Sequence, residues 1–504
     1  MNNLPIDRRR WLGLAFVTVF GSVDAIDVHP HVAAAVAASG ASDALIVLAD
    51  QSIPDVDAPR DLKSRRRALV AALMQRAESQ QHDVRATLDE RGIAHRDFWL
   101  VNAIQATLSA ADIDALAVRG LVRRIDANPS VASGLPAPAL QPQPLYSPQA
   151  VDATQSVGWG VTKIGAPSVW AAGVTGQGVV IGGEDTGYQW DHPILKPQYR
   201  GWNGVAASHD FNWHDAIHDA VSDNPCGSDS PAPCDDDQHG THTAGTFAGD
   251  DGPTAPTRHQ YGVAPGAKWI GCRNMDEGAG TPARYIECMQ FMLAPSDLNG
   301  NNANSDLAAD VVSNSWSCPT SEGCSADTLQ TAVDTLVAAG IFYVAAAQNS
   351  GPSCSSITDP PALYDSVFVV GATNQSDALA SFSSIGPLPT TATIRPDVVA
   401  PGVNVCSSIP TNAYSCSFSG TSMATPHVAG AAALLMSAFP ELKGRPEKVA
   451  SILRENTTRA GVTDPNGGCA SESSTVFPNY KLGYGRLDVY AAYHDIITIH
   501  GFDG

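Results

Sequence analysis

The segment 417–439 reads SFSGTSMATPHVAGAAALLMSAF. Gly420 and Thr421 make a tight turn that feeds directly into the apolar pattern running from Met423 to Phe439, which predicts a long helix. Ser422 stands at its start, with its hydroxyl exposed and its own N–H among the unpaired donors of the first turn. A serine there also suits a plain N-cap, so this block alone does not choose between structure and chemistry. A helix of this kind needs a large core. With 504 residues, the chain has room for two or three folded units at about 150 residues each.

Composition narrows the class. Hydrophobic residues make up 43% and charged residues 16%, which excludes charge-driven disorder for most of the chain. The net charge of -21 argues against nucleic acid or an anionic membrane as a general partner. That charge is unevenly placed: residues 1–133 hold 15 Lys+Arg and 16 Asp+Glu, a balance of -1, leaving -20 for the rest. All ten cysteines lie between Cys226 and Cys469, and an even number suits pairing in an oxidising compartment.

The N-terminus points to the same compartment. Arg8, Arg9 and Arg10 precede an apolar run from Trp11 to Phe20, and small and polar residues follow through Ala25. These are the n-region, h-region and cleavage zone of an export signal, here given residues 1–25, and the adjacent arginines hint at the twin-arginine type. The run is shorter than the about 18 apolar residues a membrane helix needs, and no other segment reaches that length, so no membrane span is expected.

Residues 26–132 predict a small α+β unit. An apolar run at Ala44–Ala49 is followed by a helical pattern from Leu62 to about Arg91, strand character over Phe98–Leu108, a short helix from the Ser109 cap with Asp112 in its first turn, and a strand at Leu121–Ile125. Residues 133–153 are proline-rich and predict an extended linker to a unit spanning 154–504. A permanent binding domain and a removable prosegment both fit this layout.

Two further blocks carry candidate chemistry. The run VVIGGEDTG ends a predicted strand at Asp185, with Thr186 and Gly187 supplying the turn that leaves a carboxylate at the strand's end. Asp-Thr-Gly also occurs in pepsin-like aspartyl proteases, but that family needs two such triplets and this chain has one. In DDDQHGTHTAGT, small residues after His239 let a helix start close against its neighbours. His239 and His242 have the i, i+3 spacing of a metal pair, yet Gly240 and Thr241 stand where a hydrolytic zinc helix would carry an acid.

Together, GTSMATPHVAG around Ser422, HGTHTAGT around His239 and DTG at Asp185, in the chain order Asp, His, Ser, resemble the three signature blocks of the subtilisin-like serine proteases (subtilases). GVTKIGAPSVWAAGVTGQGVVI from Gly160 and LGYGRLDVYAA at 482–492 extend the likeness. The resemblance implies a three-layer α/β domain with a mostly parallel sheet, and a small α+β, ferredoxin-like inhibitory propeptide in front of it. It implies a secreted serine endopeptidase, a monomer acting on protein or peptide substrates, made as a zymogen with its own propeptide as intramolecular inhibitor. Maturation is expected between about Ser130 and Asp152. The alternative is an inactive member used as a binding or chaperone module.

In that scheme Ser422 is the nucleophile, His239 the base, Asp185 its orienting partner, and Asn349 in YVAAAQNSG donates to the oxyanion beside the Ser422 N–H. Gln348 stands where the family generally has glycine, which could narrow the site or move the amide. The resemblance places substrate-binding edges at Gly278-Ala279-Gly280 and Ser315-Trp316-Ser317. Ser317 replaces a common glycine, and Trp316 reads equally well as core. No cofactor is required for the chemistry. Structural calcium occurs in many subtilases, but no ligand loop here is specific enough to name its residues, and the acidic run Asp235, Asp236, Asp237 reads first as a solvated face. Short loops favour the disulfides Cys226–Cys234, Cys318–Cys324 and Cys406–Cys416, leaving Cys272 with Cys288 and Cys354 with Cys469.

Overall fold

The structure is a computed structural model that describes residues 26–500, apart from 57–60, 118–121, 133–155, 256, 390, 467–468, 470–472 and 474. The expected signal peptide and linker lie outside the described residues.

The N-terminal unit runs β1 (Asp27–Val28), α1 (Pro30–Ser39), β2 (Ala41–Leu48), α2 (Leu62–Glu90), β3 (His95–Phe98), β4 (Ala103–Ser109), α3 (Ala110–Ala117) and β5 (Val122–Ala127). Its sheet order is β1-β5-β2-β4-β3, in which β2 to β5 follow the ferredoxin-like split pattern. Local chemistry sets the helix starts. Asp61 accepts from Ser64 N to cap α2, and Asp112 accepts from both N and Oγ of Ser109 at the start of α3.

Two features differ from the sequence expectation. Helix α1 was not anticipated, although Pro30 at its first turn and Gly40 in the left-handed region at its end (φ 88°) are the usual punctuation. The single strand expected over Phe98–Leu108 is two strands. The chain turns between them at Asn102 (φ 44°), and Gln290 Oε1 accepts from the N–H groups of Trp99 and Leu100. A tertiary contact therefore satisfies backbone that a continuous strand would have paired.

The larger unit is built on a nine-stranded sheet. From one edge its strands are Thr457–Thr458, Arg486–Leu487, Val398–Pro401, Phe368–Thr373, Phe342–Ala346, Val311–Asn314, Val180–Asp185, Lys268–Arg273 and Trp213–Asp215. All neighbours pair in parallel except the first two. Alternating residues feed opposite cores, as a sheet covered on both faces requires. Val311 and Val344 pack with Phe247 and Ala431, whereas Val312 and Ala345 pack with Ile286 and Leu336. Helices His239–Ala248 and Thr421–Ala438 thus cover one face, and Pro282–Leu293 and Gln330–Ala338 the other, giving a three-layer α/β domain. Each fully buried Leu or Met on Thr421–Ala438, such as Leu434, Leu435 and Met436, contributes about 1.5–3 kcal/mol.

Chain order reverses between Val180–Asp185 and Val311–Asn314. From the former the chain moves to Lys268–Arg273 on one side before returning to Val311–Asn314 on the other. The carboxyl ends of such strands form the natural crevice of an open α/β sheet. All five disulfides pair as expected: Cys226–Cys234, Cys272–Cys288, Cys318–Cys324, Cys354–Cys469 and Cys406–Cys416.

The two units share a core, with Leu69, Leu73, Phe98 and Leu100 packed among Ile286 and Met289. Charged contacts frame it. Arg66 donates to the carbonyls of Ala309 and Ala339, Arg67 pairs with Asp306, and Arg96 with Glu287. The N-terminal unit then sends β6 (Val131–Ala132) into the larger one, antiparallel to Ala279–Gly280.

Candidate active site

Asp185, His239 and Ser422 come from the end of a central strand and the starts of two buried helices, and all three are at most 2% exposed. His239 Nδ1 lies 2.6 Å from Asp185 Oδ1. That carboxylate is held by two further donors, the Thr186 N–H on Oδ1 at 2.8 Å and the Thr243 hydroxyl on Oδ2 at 3.1 Å. Thr243 sits one helical turn beyond His239, and this i, i+4 spacing, legible in the sequence, puts both residues on the helix face that meets Asp185. Burial pulls the His239 pKa down, but the Asp185 charge and hydrogen bond outweigh it and hold it above the ordinary imidazole value. Gly240 permits this approach, because a Cβ there would meet Gly187 O at 2.0 Å.

Helix Thr421–Ala438 begins one residue before Ser422, with Gly420 as its N-cap. The serine is therefore not a cap, and its Oγ donates to Ser315 O at 3.0 Å while Ser315 Oγ donates to Ser422 O at 2.9 Å. His239 Nε2 has no protein partner. Asn349 Oδ1 accepts from Thr421 N and Oγ1, and the residue lines the same cleft as Ser422. Gln348 keeps the left-handed backbone that glycine favours (φ 78°). Its side chain does not turn toward the nucleophile: Nε2 donates to Asp359 O at 2.8 Å and Oε1 accepts from Thr358 N at 3.2 Å.

Of the two expected substrate edges, Ser315–Ser317 lines this cleft and Gly278–Gly280 is not among its lining residues. Ala279–Gly280 pairs with β6, and a Cβ at Gly280 would strike Tyr285 Oη. Gly278 lies one residue before that strand. Ser315, Trp316 and Ser317 all line the cleft, and Trp316 is also core: 2% exposed and stacked on Tyr285 at 3.9 Å. Ala132 of β6 lines it too, its N–H donating to Glu322 at 2.9 Å.

His239 and His242 do not act as a pair. His242 Nε2 lies 3.1 Å from Val405 O, its ring stacks on Phe418, and burial pushes its pKa down to about 3. Nor is the acidic run simply a solvated face. Asp235 accepts from Thr186 Oγ1, Thr241 N and Oγ1, and the N–H groups of Asp237 and Gln238, tying the turn after Asp185 to the helix that carries His239. The Asp236 side chain is enclosed against Arg273, and burial raises its pKa to about 7 despite bonds from Asn224 and Arg273. Only Asp237 is exposed. No cluster of three or more His, Cys, Asp or Glu suited to a metal occurs among the described residues.

Comparison with known proteins places this geometry. The profile of the subtilase family matches residues 176–482. Bacillopeptidase F of Bacillus subtilis is 35% identical over 425 residues, covering 80% of this chain, which spans only 28% of that protein's length. Subtilisin NAT of Bacillus subtilis subsp. natto is 33% identical over 375 residues, covering 72% of this chain and 80% of the relative. Subtilisin DY of Bacillus licheniformis is 35% identical over 309 residues, 61% of this chain and 93% of the relative.

Proposed function

The chain belongs to the subtilase family and is a serine endopeptidase, and from that premise we propose that Asp185, His239 and Ser422 are its catalytic triad. The observation that carries this is the His239–Asp185 bond, which fixes the ring by Nδ1 and leaves Nε2 unpartnered. Nε2 takes the Ser422 proton once Oγ rotates from Ser315 O. Oγ then attacks the scissile carbonyl, the C–N bond breaks as His239 gives the proton to the leaving amine, and water deprotonated by His239 hydrolyses the resulting acyl-enzyme, returning the proton to Ser422 Oγ. The Ser422 N–H and the Asn349 amide supply the oxyanion donors.

We propose further that residues 26–132 are an inhibitory propeptide and that Ala279–Gly280 and Ser315–Ser317 are the substrate edges. Strand β6 supports both, since it adds to the edge that a peptide substrate would use. In this reading the chain is exported by its first 25 residues and cuts itself between about Ser130 and Asp152. It works as a monomer, its triad drawn from one chain. Among the described residues no helix is long and apolar enough to cross a membrane. Structural calcium stays an open proposal without assigned ligands.

Ser422→Ala tests the assignment. The variant should lose fluorophosphonate labelling, keep only residual peptidase activity orders of magnitude lower, and remain uncut in a host without related proteases. Full activity refutes the triad. Processing at the usual site refutes self-cleavage, and an unlabelled but folded wild-type protein would favour the inactive binding module.

A further inference from the structure

The cleft beside Ser422 encloses about 560 Å³, and its lining contains two charged residues, Glu322 and Asp359. Both are acidic, and among the described residues their carboxylates accept from N–H and hydroxyl groups and from no Lys, Arg or His. The walls between them carry hydroxyls, from Ser315, Ser317, Thr320 and Thr358. Asp359 is half-buried and firmly held: Oδ1 accepts from Thr320 N at 3.2 Å and Oδ2 from Thr358 Oγ1 at 3.1 Å. Its own carbonyl accepts from Gln348 Nε2, which ties it to the residue next to Asn349. A carboxylate has roughly four acceptor positions, so two remain unused on a residue that lines the cleft. Glu322, on the loop closed by Cys318–Cys324, holds the Ala132 N–H from the opposite end of the lining sequence.

We propose that this cleft selects a basic side chain, lysine or arginine, on the residue just before the scissile bond, with Asp359 as the residue that determines this preference and Glu322 assisting. The proposal rests on the endopeptidase reading of Ser422 and adds the substrate class. Its physical basis is the mismatch an apolar side chain would create. A bulky apolar group would strip solvent from Asp359 without replacing its hydrogen bonds, a penalty larger for a charged group than for a neutral one. A guanidinium or ammonium supplies donors and opposite charge at the same place. Gln348 gains a role here as well. Its two bonds fasten the 358–359 segment behind the oxyanion residue, so the bulk that replaces glycine builds the pocket wall.

The chain's own entering strand is a poor fit to this preference, because no Lys or Arg occurs between Arg124 and Lys163. Self-cleavage there would rely on the high effective concentration of a tethered segment in place of side-chain recognition.

The test is a series of succinyl-Ala-Ala-Pro-X-p-nitroanilides with X as Arg, Lys, Phe, Leu or Glu, assayed on the processed enzyme at low and high salt. Expected are kcat/KM values for Arg and Lys at least tenfold above Phe and Leu, with the advantage shrinking as salt rises. Asp359→Asn should lower the Arg-to-Phe ratio at least tenfold, and Asp359→Lys should move the preference toward Glu. Ratios taken within one preparation do not depend on how much of a variant folds. A faster Phe or Leu substrate in the wild type, or an Arg-to-Phe ratio that Asp359→Asn leaves unchanged, overturns the proposal. Cleavage of every substrate surviving Ser422→Ala would instead sink the active-site reading beneath it.

Discussion

Asn349 is fixed to Thr421 through a single atom: its Oδ1 accepts from the Thr421 backbone N at 2.9 Å and from the Thr421 hydroxyl at 3.1 Å. Both acceptor positions of that oxygen are used, so the amide presents its two donors to the cleft it lines. Thr421 immediately precedes Ser422 on the same helix, so the bond holds the proposed oxyanion donor and the nucleophile in one frame. Asn349→Ala is expected to lower kcat about a hundredfold to a thousandfold, roughly 3 to 4 kcal/mol, with little change in KM. Gln348→Gly should not produce that split, because the Gln348 amide is engaged on Thr358 and Asp359. Steady-state kinetics of the two variants would decide: a normal kcat for Asn349→Ala transfers the role elsewhere.

In the proposed triad His239 sets the acid limb of activity. Only its neutral ring can accept the Ser422 proton, and its pKa stands above the ordinary 6.5 because Asp185 outweighs the effect of burial. The kcat/KM profile should therefore rise with pH through a midpoint above 6.5. Asp185→Asn removes the raising charge and should shift that midpoint downward while greatly reducing the rate. A midpoint below 6.5 in the wild type would contradict the inferred balance.

What the sequence made legible follows the reach of each signal. The Asp, His and Ser blocks are short and chemically crowded: Gly240 is required by Gly187 O, and the Ser422 turn by the helix that follows, so local motifs carried the geometry. The short disulfide loops were readable for the same reason. Long-range partners were not. Nothing local shows that Gln290 caps the Trp99 turn, that Asp236 meets Arg273, or that Asp359 joins Gln348 at the cleft wall. Helix α1 is the reverse case, not anticipated although its punctuation, Pro30 and Gly40, is local.

Arg96 of the N-terminal unit shares the Glu287 carboxylate with His214 and His218, at 2.9, 2.7 and 3.0 Å, and His218 also contacts Asp229. Burial opposes charge on His218, but Glu287 raises its pKa above 6.5 and Arg96 works the other way. Removing the N-terminal unit removes Arg96, so the His218 pKa should rise further and separation should take up protons. Affinity of residues 26–132 for the peptidase unit is then expected to fall as pH drops from 8 to 6. Calorimetric titration onto a Ser422→Ala peptidase unit would show this slope, and Arg96→Gln should flatten it. Tighter binding at pH 6 would reverse the assignment.

Glu184, next to Asp185 on the strand, is fully buried, and neither carboxyl oxygen has a protein partner. Burial raises its pKa well above 4.5, so at pH values above 4.5 the native state keeps more of this proton than the unfolded chain does. The sign follows directly. Below pH about 4.5 both states are protonated and the group adds no pH dependence; above it the unfolded state loses a proton that the native state keeps, so stability declines as pH rises toward the raised native value. Glu184→Gln, similar in shape and neutral at every pH, should raise the midpoint of thermal unfolding at pH 8 and leave it nearly unchanged at pH 4. Scanning calorimetry of Ser422→Ala and Ser422→Ala/Glu184→Gln, both free of self-digestion, measures the difference. A lower midpoint at pH 8 for the double variant would mean that Glu184 is ionised and held by a partner in the folded enzyme.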